Sequence, residues 1–170
     1  PPPPPPPRPP PPPPPPRIEC RRQRQLCIRD SIKIIASESA TVAATGSSLS
    51  AAARDLRGEF EAAHIPRSAL FNLDEVSDPD TLLLMMITSQ EQFAAQVGAL
   101  GISNDDLVIV YDSQGVRTTP RAWWMFRVFG HANVAVLDGG LPKWKREGRS
   151  IESGWRAPEP LRFEGSRHDE

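Results

Sequence analysis

Leu107-Val108-Ile109-Val110-Tyr111 is an apolar run with no polar residue in alternation. A strand with one wet face alternates. A strand without alternation is buried on both faces, the environment of a parallel sheet covered by helices. Asn133-Val134-Ala135-Val136-Leu137 is a second such run. Parallel strands need a helical crossover, and the stretch between the two runs supplies one. Thr119 is expected to cap it, with Pro120 at the first position. Ala122–Phe129 carries Trp123, Trp124, Met125, Phe126, Val128 and Phe129, apolar nearly all round, which predicts a largely buried helix closed by Gly130. After Leu137, Asp138-Gly139-Gly140 leads into another helix that ends at Gly148, with Asp138 the expected cap.

The same logic extends upstream. Ile32-Lys33-Ile34-Ile35-Ala36 is a short β-branched run, read as a first strand, and the Ser, Ala, Thr and Gly of residues 37–52 read as a loop. Leu56–Ala63 suits a short helix ending before Ile65-Pro66, and Ser68–Leu73 a second strand. Residues 74–88 are irregular, with a turn at Asp78-Pro79-Asp80. Ser89, followed three residues on by Gln92, is a capping-box signature. Phe93, Val97 and Leu100 then lie on one helical face, interrupted by Gly98 and closed by Gly101. Strands alternating with helices at this spacing predict a doubly wound α/β domain over residues 31–154. Residues 155–170 are polar, contain Pro158 and Pro160, and read as a linker or tail.

The first 30 residues are different material. Fifteen of the chain's 21 prolines lie in residues 1–16. Such a block can form only an extended polyproline II rod. Arg8 and Arg17 give it P-x-x-P-x-R patterns of the kind that SH3, WW or profilin-type grooves read. Five arginines (17, 21, 22, 24 and 29) against Glu19 follow. With no helical or strand period, residues 1–30 are read as a disordered leader. It holds both cysteines, Cys20 and Cys27. Their C-x6-C spacing is no zinc knuckle, so no metal site is expected. The formal net charge of -1 argues against a nucleic-acid partner, and no run of 18 apolar residues predicts a membrane span. With no secretory pattern, an intracellular protein is expected. The chain opens on Pro and its first Met is Met85, which suggests a fragment or a processed product.

In doubly wound sheets, ligands meet the carboxyl ends of the central strands. Here that place is the loop Asp112-Ser113-Gln114-Gly115-Val116-Arg117. Its successive N–H groups can curl into a nest before a helix N-terminus, with Gly115 permitting the tight curl. Such a nest suits an anion or a thiolate. At the head of this loop stands Asp112, whose carboxylate can fill the nest itself.

Three stretches carry a family resemblance. They are Ala62-Ala63-His64-Ile65-Pro66, Ala122–His131 with its Trp-Trp-Met-Phe-Arg-Val-Phe-Gly-His run, and Val136–Trp144 with Leu-Asp-Gly-Gly-Leu-Pro-Lys-Trp. Together they resemble the rhodanese superfamily, and within it the N-terminal domain of two-domain 3-mercaptopyruvate/thiosulfate sulfurtransferases. The resemblance implies a rhodanese-like, parallel five-stranded sheet with helices on both faces. It implies no cofactor, and a persulfide-carrying cysteine in a second domain that is the partner of this one. The active loop of the family starts with Cys where this chain has Asp112, while Gly115 and Arg117 match its Cys-x-x-Gly-x-Arg form. His64, Pro66, Trp123, Trp124, Arg127, Asp138, Gly139, Gly140 and Trp144 are its structural motif residues. The chain departs from the pattern at Arg67, where relatives commonly have Gly, in the Leu-Leu-Leu-Met-Met-Ile stretch within Thr81–Thr88, and in lacking an acid after the first strand near Ile35.

No sulfane sulfur can ride on a carboxylate, so this chain is expected to be inactive alone. His64 and His131 lack a nucleophile partner in sequence and read as structural. Trp123 and Trp124 read as core. Arg117 and Arg121 read as anion ligands or as members of surface ion pairs. The expected function is therefore a non-catalytic domain of a sulfurtransferase, cytoplasmic or mitochondrial. The alternatives are a stand-alone binding or regulatory module, or a scaffold recruited through its proline leader.

Overall fold

A computed structural model of the chain describes residues 17–18, 32–40, 54–77 and 87–166. The proline block, Cys20 and Cys27, the Asp78-Pro79-Asp80 turn and most of the Thr81–Thr88 stretch lie outside the described residues. Five parallel strands form one sheet: β1 (Arg17–Ile18), β2 (Ile32–Glu38), β3 (Ser68–Asn72), β4 (Leu107–Tyr111) and β5 (Val134–Leu137). Their order is β1-β5-β4-β2-β3. Helices α1 (Leu56–Ala62), α2 (Gln90–Ala99), α3 (Thr119–Val128) and α4 (Gly140–Arg146) complete the alternation. The edge strand β1 comes from the segment read as disordered, and it pairs with Val136 and Leu137. Two residues carry no period, so only the pairing reveals it.

The unbroken apolar runs do serve both faces. On β4, Val108 and Val110 point into a core with Phe93, Val97, Met125, Phe126 and Phe129 of α2, α3 and the turn after it. Ile109 and Tyr111 point into the opposite core with Phe60, Leu141 and Trp144 of α1 and α4. The central register sets Ile34 beside Ile109 and Val110 beside Val136. Strand β2 lies between β3 and β4, so the chain reverses direction across it. The carboxyl ends of β2 and β4 are therefore the topological switch point.

Several local expectations shift. Strand β2 runs two residues further than read, through buried Ser37 and Glu38. Asp55 caps α1 through the Gly58 N–H. Ser89 caps α2 by accepting from the Gln92 N–H, but the Gln92 side chain takes the Thr88 hydroxyl instead of closing the box. The cap of α3 is Thr118 and not Thr119, and it makes no side-chain cap bond. Nor does Asp138 cap α4: Gly139 holds that position, and the Asp138 carboxylate pairs with Lys143 Nζ at 2.6 Å. Helix α3 is not buried all round. It seats Ala122, Met125 and Phe126 and leaves Trp124 44% exposed.

The tail is the largest correction. Residues 158–166 form a strap laid over α2. Leu161 N–H donates to the Gly98 carbonyl, Asn104 and Glu164 exchange two hydrogen bonds, and Ser166 N–H donates to Phe129 O. Phe163 is buried among Phe93, Phe126 and His131. The boundary expected at 154 thus falls inside the folded unit.

Arg67 has φ 64, the left-handed region, in the turn closed by Ser68 N–H to Ile65 O at 3.1 Å. Glycine adopts this conformation without the Cβ cost of about 1 kcal/mol. Arg67→Gly is expected to raise stability by about 0.5 kcal/mol at most once the added unfolded-chain entropy is subtracted. A urea midpoint that falls instead would contradict this.

Candidate active-site loop

The loop Asp112–Arg117 starts where β4 ends and feeds α3. Asp112 is 1% exposed. Its Oδ1 accepts from Gln114 N–H at 3.0 Å, and its Oδ2 accepts from the N–H groups of Arg117 and Thr118. The nest is therefore occupied by the protein's own carboxylate, and no water-sized space is left among Asp112, Gln114, Arg117 and Thr118. Gly115 makes the curl with φ 119. Val116 is half exposed at the tip, and Arg117 Nη1 donates to Gln114 Oε1 at 2.7 Å.

A second acid stands beside the first, from a residue that sequence reading assigned to a loop. Glu38 ends β2 and is 5% exposed. Its Oε1 accepts from Ser113 N–H at 2.6 Å and its Oε2 from Ser113 Oγ at 3.1 Å. Arg54 reaches the same Oε2 at 3.3 Å and also holds Glu59. An acid does therefore end the strand, three residues beyond Ile35. Neither Glu38 nor Arg54 carries a local signal, because Ser37-Glu38-Ser39 looks like loop and its partners lie on distant segments.

Burial pushes the Glu38 carboxyl up from its ordinary value of 4.5, and the Asp112 charge adds to this, while Ser113 and Arg54 oppose it. A raised acid holds its proton more tightly in the folded state. Its contribution is complete below the unfolded pKa and is lost as pH rises through the folded one. Glu38→Gln, compared with the parent by urea unfolding between pH 4.5 and 7.5, is therefore expected to gain relative stability as pH rises. A pH-independent difference would refute this.

Most of the other motif residues support the scaffold away from the loop, and Gly140 packs against it. His64 is buried, donates from Nδ1–H to Phe60 O (2.8 Å), and stacks on the Phe60 ring at 4.1 Å. Pro66 sits in the turn before β3. His131 is buried, and desolvation lowers its pKa. Trp123 packs partly against the α2–α3 core, with the Arg127 guanidinium 5.8 Å from its ring, and Arg121 lies 5.9 Å from the Trp124 ring. Trp144 is buried, with its Nε1 donating to Ser150 O at 2.7 Å. Gly140 brings α4 against the loop, where Leu141 N–H donates to Asp112 O at 3.0 Å. Among the described residues, no three His, Cys, Asp or Glu side chains are placed to hold a metal ion. No helix among them is long and apolar enough to cross a membrane.

Comparison with known proteins assigns the architecture. The family model described as rhodanese-like domain matches residues 50–147. The chain belongs to the rhodanese-like domain family. It is 54% identical over 95 residues to thiosulfate/3-mercaptopyruvate sulfurtransferase 1, mitochondrial, of Arabidopsis thaliana, a match covering 56% of this chain and 25% of the relative. It is 44% identical over 112 residues to human 3-mercaptopyruvate sulfurtransferase, covering 65% and 38%. The rhodanese-fold structure of SseA from Escherichia coli superposes with a TM-score of 0.77 at 29% identity, over 88% of this chain and 54% of that one. The chain thus spans a quarter to about half of these relatives, consistent with one domain of a two-domain enzyme.

Proposed function

We propose that this rhodanese-like domain is the non-catalytic domain of a sulfurtransferase. The parent enzyme moves sulfur from 3-mercaptopyruvate or thiosulfate to a thiol or cyanide through a cysteine persulfide on a second domain. The observation that carries this reading is Asp112. It heads the loop that starts with cysteine in the family this chain resembles, and its carboxylate is spent on three backbone N–H groups of the loop. A carboxylate is no sulfur nucleophile, and its negative charge repels an anionic donor. The parent acts in the mitochondrion or cytoplasm, in keeping with the mitochondrial Arabidopsis relative.

The test is thiocyanate formation from thiosulfate and cyanide by the purified 170-residue chain. No turnover above the protein-free rate is expected. Turnover that survives Cys20→Ser combined with Cys27→Ser would overturn the proposal.

A second reading, a stand-alone binding module, is favoured by the exposed Val116 and Trp124 beside Arg117 and Arg121. Trp and Arg dominate binding hot spots. A stable monomer in sedimentation supports this reading over an orphaned half. Recruitment through the proline leader predicts loss of a pull-down partner when residues 1–16 are deleted.

A further inference from the structure

A cleft of about 290 Å³ opens next to the loop, on the α1–α4 side of the switch point. Ala36, Phe60 and Leu141 give it apolar walls, and Glu38, Glu59 and Lys145 are its charged lining. That volume is near the lower end of small-molecule pockets, roughly 300–1,000 Å³, and matches a ring-sized body. The position is the one where doubly wound sheets receive ligands.

The charges in the lining are not equivalent. Arg54 neutralises Glu59 and shares Glu38 with Ser113. Burial further favours the uncharged form of Glu38. Lys145 is exposed and has no ion-pair partner among the described residues, whereas its neighbour Lys143 is taken by Asp138. Lys145 is therefore the charged lining residue without an ion-pair partner among the described residues.

We infer that this cleft binds a small organic monoanion, with its apolar body against Phe60 and Leu141 and its acid group at Lys145. The site is separate from the Asp112 nest and does not depend on how the parent enzyme is read. A ligand of about ten heavy atoms held this way is expected to bind with a Kd on the order of 1 mM.

The test is a titration of the full 170-residue chain by ¹⁵N and methyl NMR, using 3-phenylpropionate and its uncharged analogue 3-phenylpropanamide. The acid is expected to give saturable shifts at Phe60, Ser113 and Leu141. The amide is expected to bind about threefold more weakly, the range of a single exposed ion pair. Lys145 is a surface residue, so Lys145→Gln keeps the fold and is expected to erase the difference between the two probes. Three results would each overturn the inference: no saturable shifts with the acid, shifts confined to another surface, or equal affinity of acid and amide for the parent chain.

Discussion

Asp112→Ala is expected to destabilise the domain by about 3 kcal/mol. The reasoning is an inventory of donors. The carboxylate receives the N–H groups of Gln114, Arg117 and Thr118. Hydrogen bonds to a charged acceptor contribute about 1.5–3 kcal/mol each, and a buried donor left unmet costs about 1–3 kcal/mol. Gln114 and Arg117 are at the surface and can recruit water, but Thr118 is buried. Thr118 makes no side-chain cap on α3, so the Asp112 charge is what faces the amino end of that helix. Asp112→Asn keeps one acceptor oxygen and the shape, and is expected to lose about 1–1.5 kcal/mol. Urea unfolding of both variants checks the pair. A loss below about 1 kcal/mol for the alanine variant would mean that the loop does not depend on its carboxylate.

Gly140→Ala is the second large effect, also about 3 kcal/mol. A Cβ at this position would lie 2.6 Å from Asp112 O and 2.7 Å from Gly115 O. Both are backbone atoms that cannot swing away. The residue also has φ 52, where an L side chain is strained by about 1–2 kcal/mol. Relief requires α4 to back off from the loop, which breaks the Leu141 N–H bond to Asp112 O. Gly148→Ala is the matched control. Gly148 has φ 65, but nothing lies within 4 Å of its added Cβ, so only the conformational part, about 1 kcal/mol, is expected. Equal losses at the two sites would show that the packing against the loop contributes nothing.

What was legible in the sequence followed from short-range signals. Leu107–Tyr111 lacks alternation because both faces are covered, and this one fact led to the parallel sheet and to its carboxyl edge. Ser89 acts through its own third neighbour, so it could be read as a cap. Glu38 could not, because the groups that bury and bind it, Arg54 and Ser113, arrive from other segments. Trp124 was misjudged because α3 has more large apolar residues than one face of a ten-residue helix can seat, and pattern alone does not say which is left out. Gly98 looked like a weak point in α2. Its missing Cβ is what lets the strap cross, since a Cβ there would lie 2.5 Å from Leu161 O. Phe163, an isolated aromatic in the polar strap 158–166, carries no period to announce that it belongs to the core.

That strap has a consequence for how the chain is made. Phe163 is translated about 30 residues after β5 begins, so at ribosomal rates of roughly 5–20 residues per second the aromatic face of α2 and α3 waits some seconds for its cover. During that interval Phe93, Phe126 and Phe129 present an unfinished surface on the nascent chain. The domain reaches its closed state only when the strap of residues 158–166 has left the ribosome, so this core seals late in the synthesis of the domain.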